Sequence, residues 1–566
     1  MARPSQPVRR SLALVAASLL VLAAACSSSD SSSDGAASKG DSASSTTSGS
    51  GSTKPVSAGH ACDQGAVSKD VKVVPVDGVA TDRTMTSFEG TEIRLHWFPV
   101  DGASKAKPAP TVLMGPGWSL AGDTAVDGGA LFGALSIKGL HQAGYNVLTW
   151  DPRGFGESTG NAEVDNPEFE GHDGQLMLDW VAQQPEALTD APGDPRVGMV
   201  GFSYGGGIQL TLAAIDCRVD VIVPGIAWHS IETSLFKNRT VKSGWASILS
   251  NTGGGHVDPH ITSASKTGIS TGLLSQEDED WFRARGPGDL VDEITVPTLV
   301  VQGTVDGLFT LAEGIANYDS FRSRDIPSAM IWFCGGHGTC LTDPGDPERV
   351  SEVEQAWLKR YLTGDTSVDT GPRFEFVDQE GTSWTADDLP EPDGSVEVSG
   401  SGTLALKEEG GAGPSTVKPK DADVLSGLVA GITPGPATNS VDVAVDPGQF
   451  SGTEFALGAP SLSITYSGTS PAGDKPTRLF AQLVDESGTL VIGNQVTPIQ
   501  VTLDGQTRTV KVDLEPIAQK LTPGKKLTLQ VVAVTPAYAT PRLGGQVTLS
   551  QIHLTVPTVS KGLTKR

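Results

Sequence analysis

The chain has 566 residues, 38% hydrophobic and 19% charged, a composition that supports large buried cores and a body of more than one domain. Its formal net charge is −25, and because Arg3, Arg9 and Arg10 are the only charges in the first 25 residues, the rest is more negative still by those three charges. A surface this acidic repels nucleic acid and anionic headgroups, which excludes a nucleic-acid partner and direct adsorption to an anionic bilayer. In chain order, the three arginines precede an apolar run from Leu12 to Ala25. The run is too short for a membrane span and predicts an export signal over residues 1–25.

The apolar run ends Ala23-Ala24-Ala25-Cys26, followed by serines and an aspartate. Small residues before a cysteine at this place resemble the lipobox of bacterial lipoproteins. The resemblance implies cleavage before Cys26, a lipid on its sulfur, and residence at the outer face of the cytoplasmic membrane, touching it through that lipid alone. The alternative is a secretory signal cut after an A-x-A site, giving a secreted protein; the Sec and twin-arginine routes both stay open. Residues 26–58 are nearly all Ser, Gly, Ala, Thr and Asp, cannot bury apolar surface, and read as a flexible tether.

From about Val71, within a body spanning residues 59–366, strand-like and helix-like segments alternate, which predicts an α/β fold with a largely parallel sheet. Ile93 to Phe98, Thr111 to Met114, and Asn146 to Trp150 read as strands, with a helix from Leu131 to Ala143. Asp151 to Ser158 follow as D-x-R-G-x-G-x-S, and Phe169 to Gln184 read as a helix. Val197 to Gly201 is a short apolar strand leading into Gly201-Phe202-Ser203-Tyr204-Gly205, a G-x-S-x-G turn, and Ile208 to Ile215 read as a helix. Strand, tight turn and helix in this order form a nucleophile elbow that lifts the Ser203 hydroxyl clear of the backbone. The amide of Tyr204 opens that helix, where unpaired N–H groups favour developing negative charge, while the earlier strand Thr111 to Met114 ends in Gly115-Pro116-Gly117-Trp118.

After Val219 to Val223, residues 228–288 break the alternation. They carry Trp228, Phe236, Trp245, Trp281 and Phe282 and read as a cap lining a small apolar site. His256, Asp258 and His260 invite a metal-site reading, but Pro259 opposes a helix presenting both imidazoles on one face, so they are taken as loop residues and no metal is assigned. Thr298 to Gln302 is the next strand, with Asp306 in the loop beyond it. Ala329 to Phe333 is the last, followed by His337 in Cys334-Gly335-Gly336-His337-Gly338. Pro347 to Leu362 reads as the closing helix. Ser203, Asp306 and His337 each follow a strand, at the sheet end where ligands bind. Serine is a poor nucleophile until a base takes its proton; His337 is the candidate base and Asp306 the group that orients it. This chemistry needs no cofactor. Four cysteines besides Cys26 in an exported chain favour disulfides, with Cys334 and Cys340 bracketing His337 and Cys62 and Cys217 left as partners; free buried thiols are the alternative.

From 370 to 560 β-rich runs take over, at Arg373 to Val377, Leu462 to Tyr466, Arg478 to Val484, Thr509 to Val512, Lys526 to Val534 and Gln546 to Val556, which predicts an all-β sandwich or jelly roll. Trp384 is the only tryptophan after Gly371, so no aromatic cluster marks a glycan-binding face. The elbow, the order Ser203, Asp306, His337, the cap, and a β-rich tail with Arg478-Leu-Phe-Ala-Gln-Leu-Val-Asp-Glu-Ser-Gly together resemble the X-Pro dipeptidyl-peptidase and cocaine-esterase family of α/β-hydrolases. The resemblance implies an α/β-hydrolase fold with a helical cap and a C-terminal jelly roll. It also implies hydrolysis of small esters, amides or short peptides through an acyl-serine, with the amides of Trp118 and Tyr204 as the oxyanion donors. The competing expectation is a non-catalytic surface binding protein that keeps the scaffold.

Overall fold

The computed structural model describes residues 64–129, 131–419, 424–539 and 542–566. The export signal, Cys26, the tether and Cys62 lie outside the described residues. The described chain is organised on a twelve-stranded sheet. Lys72–Val76, Val79–Thr86 and Glu92–Phe98 run antiparallel at one edge, and Glu92–Phe98 is antiparallel to Asn146–Trp150. Then Asn146–Trp150, Thr111–Gly115, Val197–Phe202, Val219–Gly225, Thr298–Gly303 and Ser328–Phe333 lie side by side and parallel. Thr111–Gly115 sits between Asn146–Trp150 and Val197–Phe202, so the winding direction reverses there, and a crevice opens at the carboxyl ends of Thr111–Gly115 and Val197–Phe202.

The central strands are apolar on both faces because helices cover both. Leu113, Leu148, Met199 and Val300 join one core with Leu176, Leu210 and Phe321 from the helices His172–Val181, Tyr204–Ile215 and Leu311–Ser323. Their strand neighbours Val112, Val147, Val200 and Leu299 point the other way, onto Ile137, Leu140, Trp357 and Leu358 of Ile137–Ala143 and Arg349–Tyr361. That alternation is the period of a strand, and each large side chain so buried contributes roughly 1.5–3 kcal/mol.

Several local expectations change. The predicted helix at Leu131 to Ala143 begins only at Ile137, N-capped by the Ser136 side chain, because Phe132 and Gly133 have left-handed backbone. The helix expected from Phe169 is a π-turn, Pro167–Gly171, followed by His172–Val181. The run at Arg373 to Val377, taken as the start of the β-rich third, supplies Phe374–Val377, which pairs parallel with Ser328–Phe333; Ser383–Ala386 and the terminal Thr564–Lys565 extend the same sheet. Nothing in an isolated apolar run says which sheet it will join.

Beyond this edge two antiparallel sheets face each other. One orders Arg508–Asp513, Ser461–Thr469, Gln546–Val559, Phe455–Gly458 and Ile517–Lys520, with Gly394–Ala405 also on Gln546–Val559. The other orders Ser440–Val445, Leu527–Val532, Thr477–Val484 and Thr497–Val501. Ile464, Leu483, Leu529 and Ile552 fill the space between them. The two halves form one compact unit. Phe455 packs edge-on against Phe376 and Trp384, and buried Arg478 donates to the Arg239 carbonyl at 2.6 Å and to Thr240 Oγ1 at 3.0 Å.

Candidate active site

Val197–Phe202 runs straight into the helix Tyr204–Ile215, with Ser203 at the joint in a strained conformation, φ 58° and ψ −117°. The turn is this sharp because the flanking backbones nearly touch: a Cβ on Gly205 would lie 2.1 Å from the Gly115 carbonyl oxygen. The Ser203 amide donates to the Gly225 carbonyl at 2.8 Å, which pins the elbow to the next strand. Strain held by surrounding structure in this way keeps the hydroxyl presented.

The sequence-predicted Ser203, His337 and Asp306 come together. His337 Nε2 lies 2.7 Å from Ser203 Oγ, and His337 Nδ1 lies 2.7 Å from Asp306 Oδ2. The same Asp306 oxygen accepts the His337 amide at 3.0 Å, while Oδ1 accepts the amides of Leu308 at 2.9 Å and Phe309 at 2.8 Å. A wholly buried carboxylate with both oxygens saturated has one orientation, and it fixes the imidazole plane. Gly336 permits the approach, with φ 107° and an added Cβ only 2.7 Å from Asp306 Cβ. The imidazole is flanked edge-on by Phe309 and by Trp245 of the cap. Cys334 and Cys340 form a disulfide around this loop. Cys217 is also disulfide-bonded, while its sequence-expected partner Cys62 lies outside the described residues.

Trp118 and Tyr204 both line the cavity at Ser203. The Trp118 indole donates to the Leu249 carbonyl at 3.0 Å and packs edge-on against Tyr204. The amide of Tyr204 opens its helix, where N–H groups have no partner within the helix. The D-x-R-G-x-G-x-S run is scaffolding. Asp151 accepts the amides of Gly122 at 2.8 Å and Glu157 at 2.7 Å, and Arg153 grips buried Asp173 through two hydrogen bonds.

Sequence reasoning missed the acids behind the elbow. The Tyr204 hydroxyl donates to Glu170 Oε1 at 3.1 Å, and Glu170 also takes the amides of Glu163 at 2.6 Å and Asn166 at 3.0 Å. Burial pushes Glu170 up to about 7, against the opposing pull of the Glu163 amide and Arg153. Asp165, wholly buried with neither oxygen partnered, is raised well above the carboxylate range by burial and then by Glu170. Val164 and Asp165 both have left-handed backbone, unfavourable for a β-branched valine. Only Asn166-Pro167, a helix-start signal, hinted at this loop. His260, expected in a loop, lies in the first turn of Pro259–Thr271, stacks on Trp281 and pairs with Asp278 at 2.8 Å, while Asp258 caps that helix.

A cavity of about 740 Å³, its open mouth included, lies over Ser203 beneath the cap helices Ile231–Leu235, Ser243–Gly253, Pro259–Thr271 and Gln276–Arg283. Trp228, Leu249, Ile261, Phe282 and Phe309 are among its walls.

Residues 90–339 match the model of the X-Pro dipeptidyl-peptidase (S15 family). An uncharacterized 31.7 kDa protein from the traX-finO intergenic region of Escherichia coli is 28% identical over 249 residues, 39% of this chain and 82% of that protein. Among solved structures, an α-amino acid ester hydrolase superposes with a TM-score of 0.64 at 13% identity, over 88% of this chain and all of that one. A CocE/NonD family hydrolase from Staphylococcus aureus does so with a TM-score of 0.59 at 13% identity, over 87% of this chain and 97% of that one. At such identity the structural likeness is one of fold.

Proposed function

Since residues 90–339 belong to the X-Pro dipeptidyl-peptidase and cocaine-esterase-like family of α/β-hydrolases, we propose that the chain is an extracytoplasmic serine hydrolase cleaving small esters, amides or short peptides. The observation that carries this is the hydrogen-bonded series Ser203, His337, Asp306, with Ser203 lining an apolar cavity.

His337 takes the Ser203 proton as Oγ attacks the substrate carbonyl, and Asp306 stabilises the imidazolium. The developing oxyanion is received by the amides of Tyr204 and Trp118. Collapse of the tetrahedral intermediate expels the leaving group, which takes its proton from His337, and leaves an acyl-serine. Water then attacks that ester with His337 again as base. Export rests on Arg3, Arg9, Arg10 and the run Leu12 to Ala25, and anchorage on the lipobox-like Ala23 to Cys26.

The test is activity-based labelling. A fluorophosphonate probe should modify the wild-type chain and not Ser203→Ala, and p-nitrophenyl esters should be cleaved by the wild type alone. Equal labelling of both proteins would show that Ser203 is not the nucleophile.

A further inference from the structure

The cavity over Ser203 has a chemistry of its own. We propose that it binds an uncharged, apolar acyl group, aromatic or branched aliphatic, and rejects substrates bearing a free α-ammonium; this rests on the hydrolase reading above. Among the described residues, no Asp, Glu, Lys or Arg lines the cavity. Its polar side chains besides Ser203 are Tyr204, Ser250, Ser265 and the indoles of Trp118 and Trp228; the Tyr204 hydroxyl donates to Glu170, and the two indoles donate to the Leu249 and Gly286 carbonyls.

The acids that could answer an ammonium stand behind the wall and are otherwise held. Glu163 is paired with Arg285 at 2.9 Å. Glu170 is saturated by two amides and the Tyr204 hydroxyl. Asp165 is wholly buried beside Gly207 and the Trp228 ring; Trp228 lines the cavity and Asp165 does not. An ammonium placed here would lose its water and gain no counter-ion, whereas an aryl or alkyl group would exchange water for Trp228, Leu249, Phe282 and Phe309. Ser250, also in the cavity wall, has a buried hydroxyl with no partner, a neutral group that adds no counter-charge for an ammonium.

The test reads binding without turnover. The full chain carrying Ser203→Ala is titrated calorimetrically with 3-phenylpropionamide and with L-phenylalaninamide, which differ by the α-ammonium alone. The uncharged amide should bind at least about tenfold more tightly. Leu249→Trp, which fills the cavity, should remove that binding, and Leu274→Asp, which adds a wall carboxylate, should move the ratio toward the ammonium. Equal or tighter binding of L-phenylalaninamide to the Ser203→Ala chain overturns the proposal whether or not the cavity variants fold, as does failure of the uncharged amide to bind at all. Failure of the hydrolase reading is a separate result: binding of the uncharged amide by a chain whose wild type resists fluorophosphonate would leave the ligand class supported and remove the catalysis.

Discussion

Gln495→Ala tests whether the β-rich third takes part in catalysis. Gln495 lies beyond the short turn Ile492–Asn494, nearly two hundred residues from Asp306 in sequence, yet its side-chain amide donates to the Asp306 carbonyl at 2.8 Å. Both residues are buried, 5% and 0% exposed, and no other donor to that carbonyl is found among the described residues. Removing the donor leaves a desolvated carbonyl unpaired, which costs about 1–3 kcal/mol. The same residue carries the carboxylate that orients His337, so relaxation of the unpaired carbonyl turns the Asp306 side chain away from Nδ1. If about half of that cost falls on the transition state, kcat drops roughly 2- to 13-fold. KM should stay within about twofold, because the cavity walls are untouched. The assay is steady-state hydrolysis of a p-nitrophenyl ester, with thermal unfolding as the check on folding. Gln482→Ala is the control: it removes an equally buried amide, donating to the Gly435 carbonyl at 3.1 Å, far in sequence from the His337 loop. A folded Gln495→Ala with wild-type kcat, or an equal kcat loss in Gln482→Ala, would refute the idea that this contact positions the acid.

Glu354 should make stability fall as pH rises. It is wholly buried in the helix Arg349–Tyr361, with one oxygen accepting the Leu135 amide at 2.7 Å and the other unpartnered, and burial pushes it from 4.5 up to about 8. The native state therefore holds the proton more tightly than the unfolded chain, so this group's stabilisation is full below about pH 4.5 and is lost as pH rises through about 8. The loss across that window is on the order of 3–5 kcal/mol, and Glu354→Gln should flatten the decline in Tm by the share Glu354 holds beside Asp220 and Glu170, which are raised in the same sense. Parallel Tm–pH curves for the two proteins would count against it. At the other end of the chain, Cys26→Ala should move the protein from the detergent phase to the aqueous phase of membrane extracts and stop its labelling with a fatty-acid probe; unchanged partitioning would argue against a lipid on Cys26.

Ser203, Asp306 and His337 were legible because each is announced locally. An apolar strand ends, a glycine-rich turn follows, and the side-chain type leaves few roles. The scaffold was legible for a related reason: buried parallel strands such as Val197–Phe202 and Thr298–Gly303 stand out as short apolar runs. What failed was whatever depends on a distant partner. Phe374–Val377 has the same local character whether it opens a sandwich or closes a parallel sheet, and only its pairing with Ser328–Phe333 decides. Glu170 is an unremarked acid in a helical stretch until Tyr204 is folded onto it. Asn494 and Gln495 look like loop punctuation, although Asn494 donates to the Thr339 carbonyl at 3.0 Å and Gln495 to Asp306.

These late contacts bear on how the site is held. Preorganisation requires that His337 keep one geometry before substrate arrives. Its loop is tied to three separate parts of the chain. The body supplies Asp306 and the edge of Phe309, the cap supplies the edge of Trp245, and the β-rich third holds the main chain through Asn494 and Gln495. Thr310, four residues beyond Asp306, is held in turn by Glu515 at 2.7 Å. A body cut after Arg349–Tyr361 would keep every residue of the proposed triad. It would lose the strands Phe374–Val377 and Ser383–Ala386, leaving Ser328–Phe333, the strand that delivers His337, as an edge strand paired only with Thr298–Gly303. It would also lose the amides that close the Asp306 and Thr339 carbonyls. Ser203, Asp306 and His337, the proposed triad, all lie in the first two-thirds of the sequence, but the contacts that hold their main chain draw on the β-rich third as well.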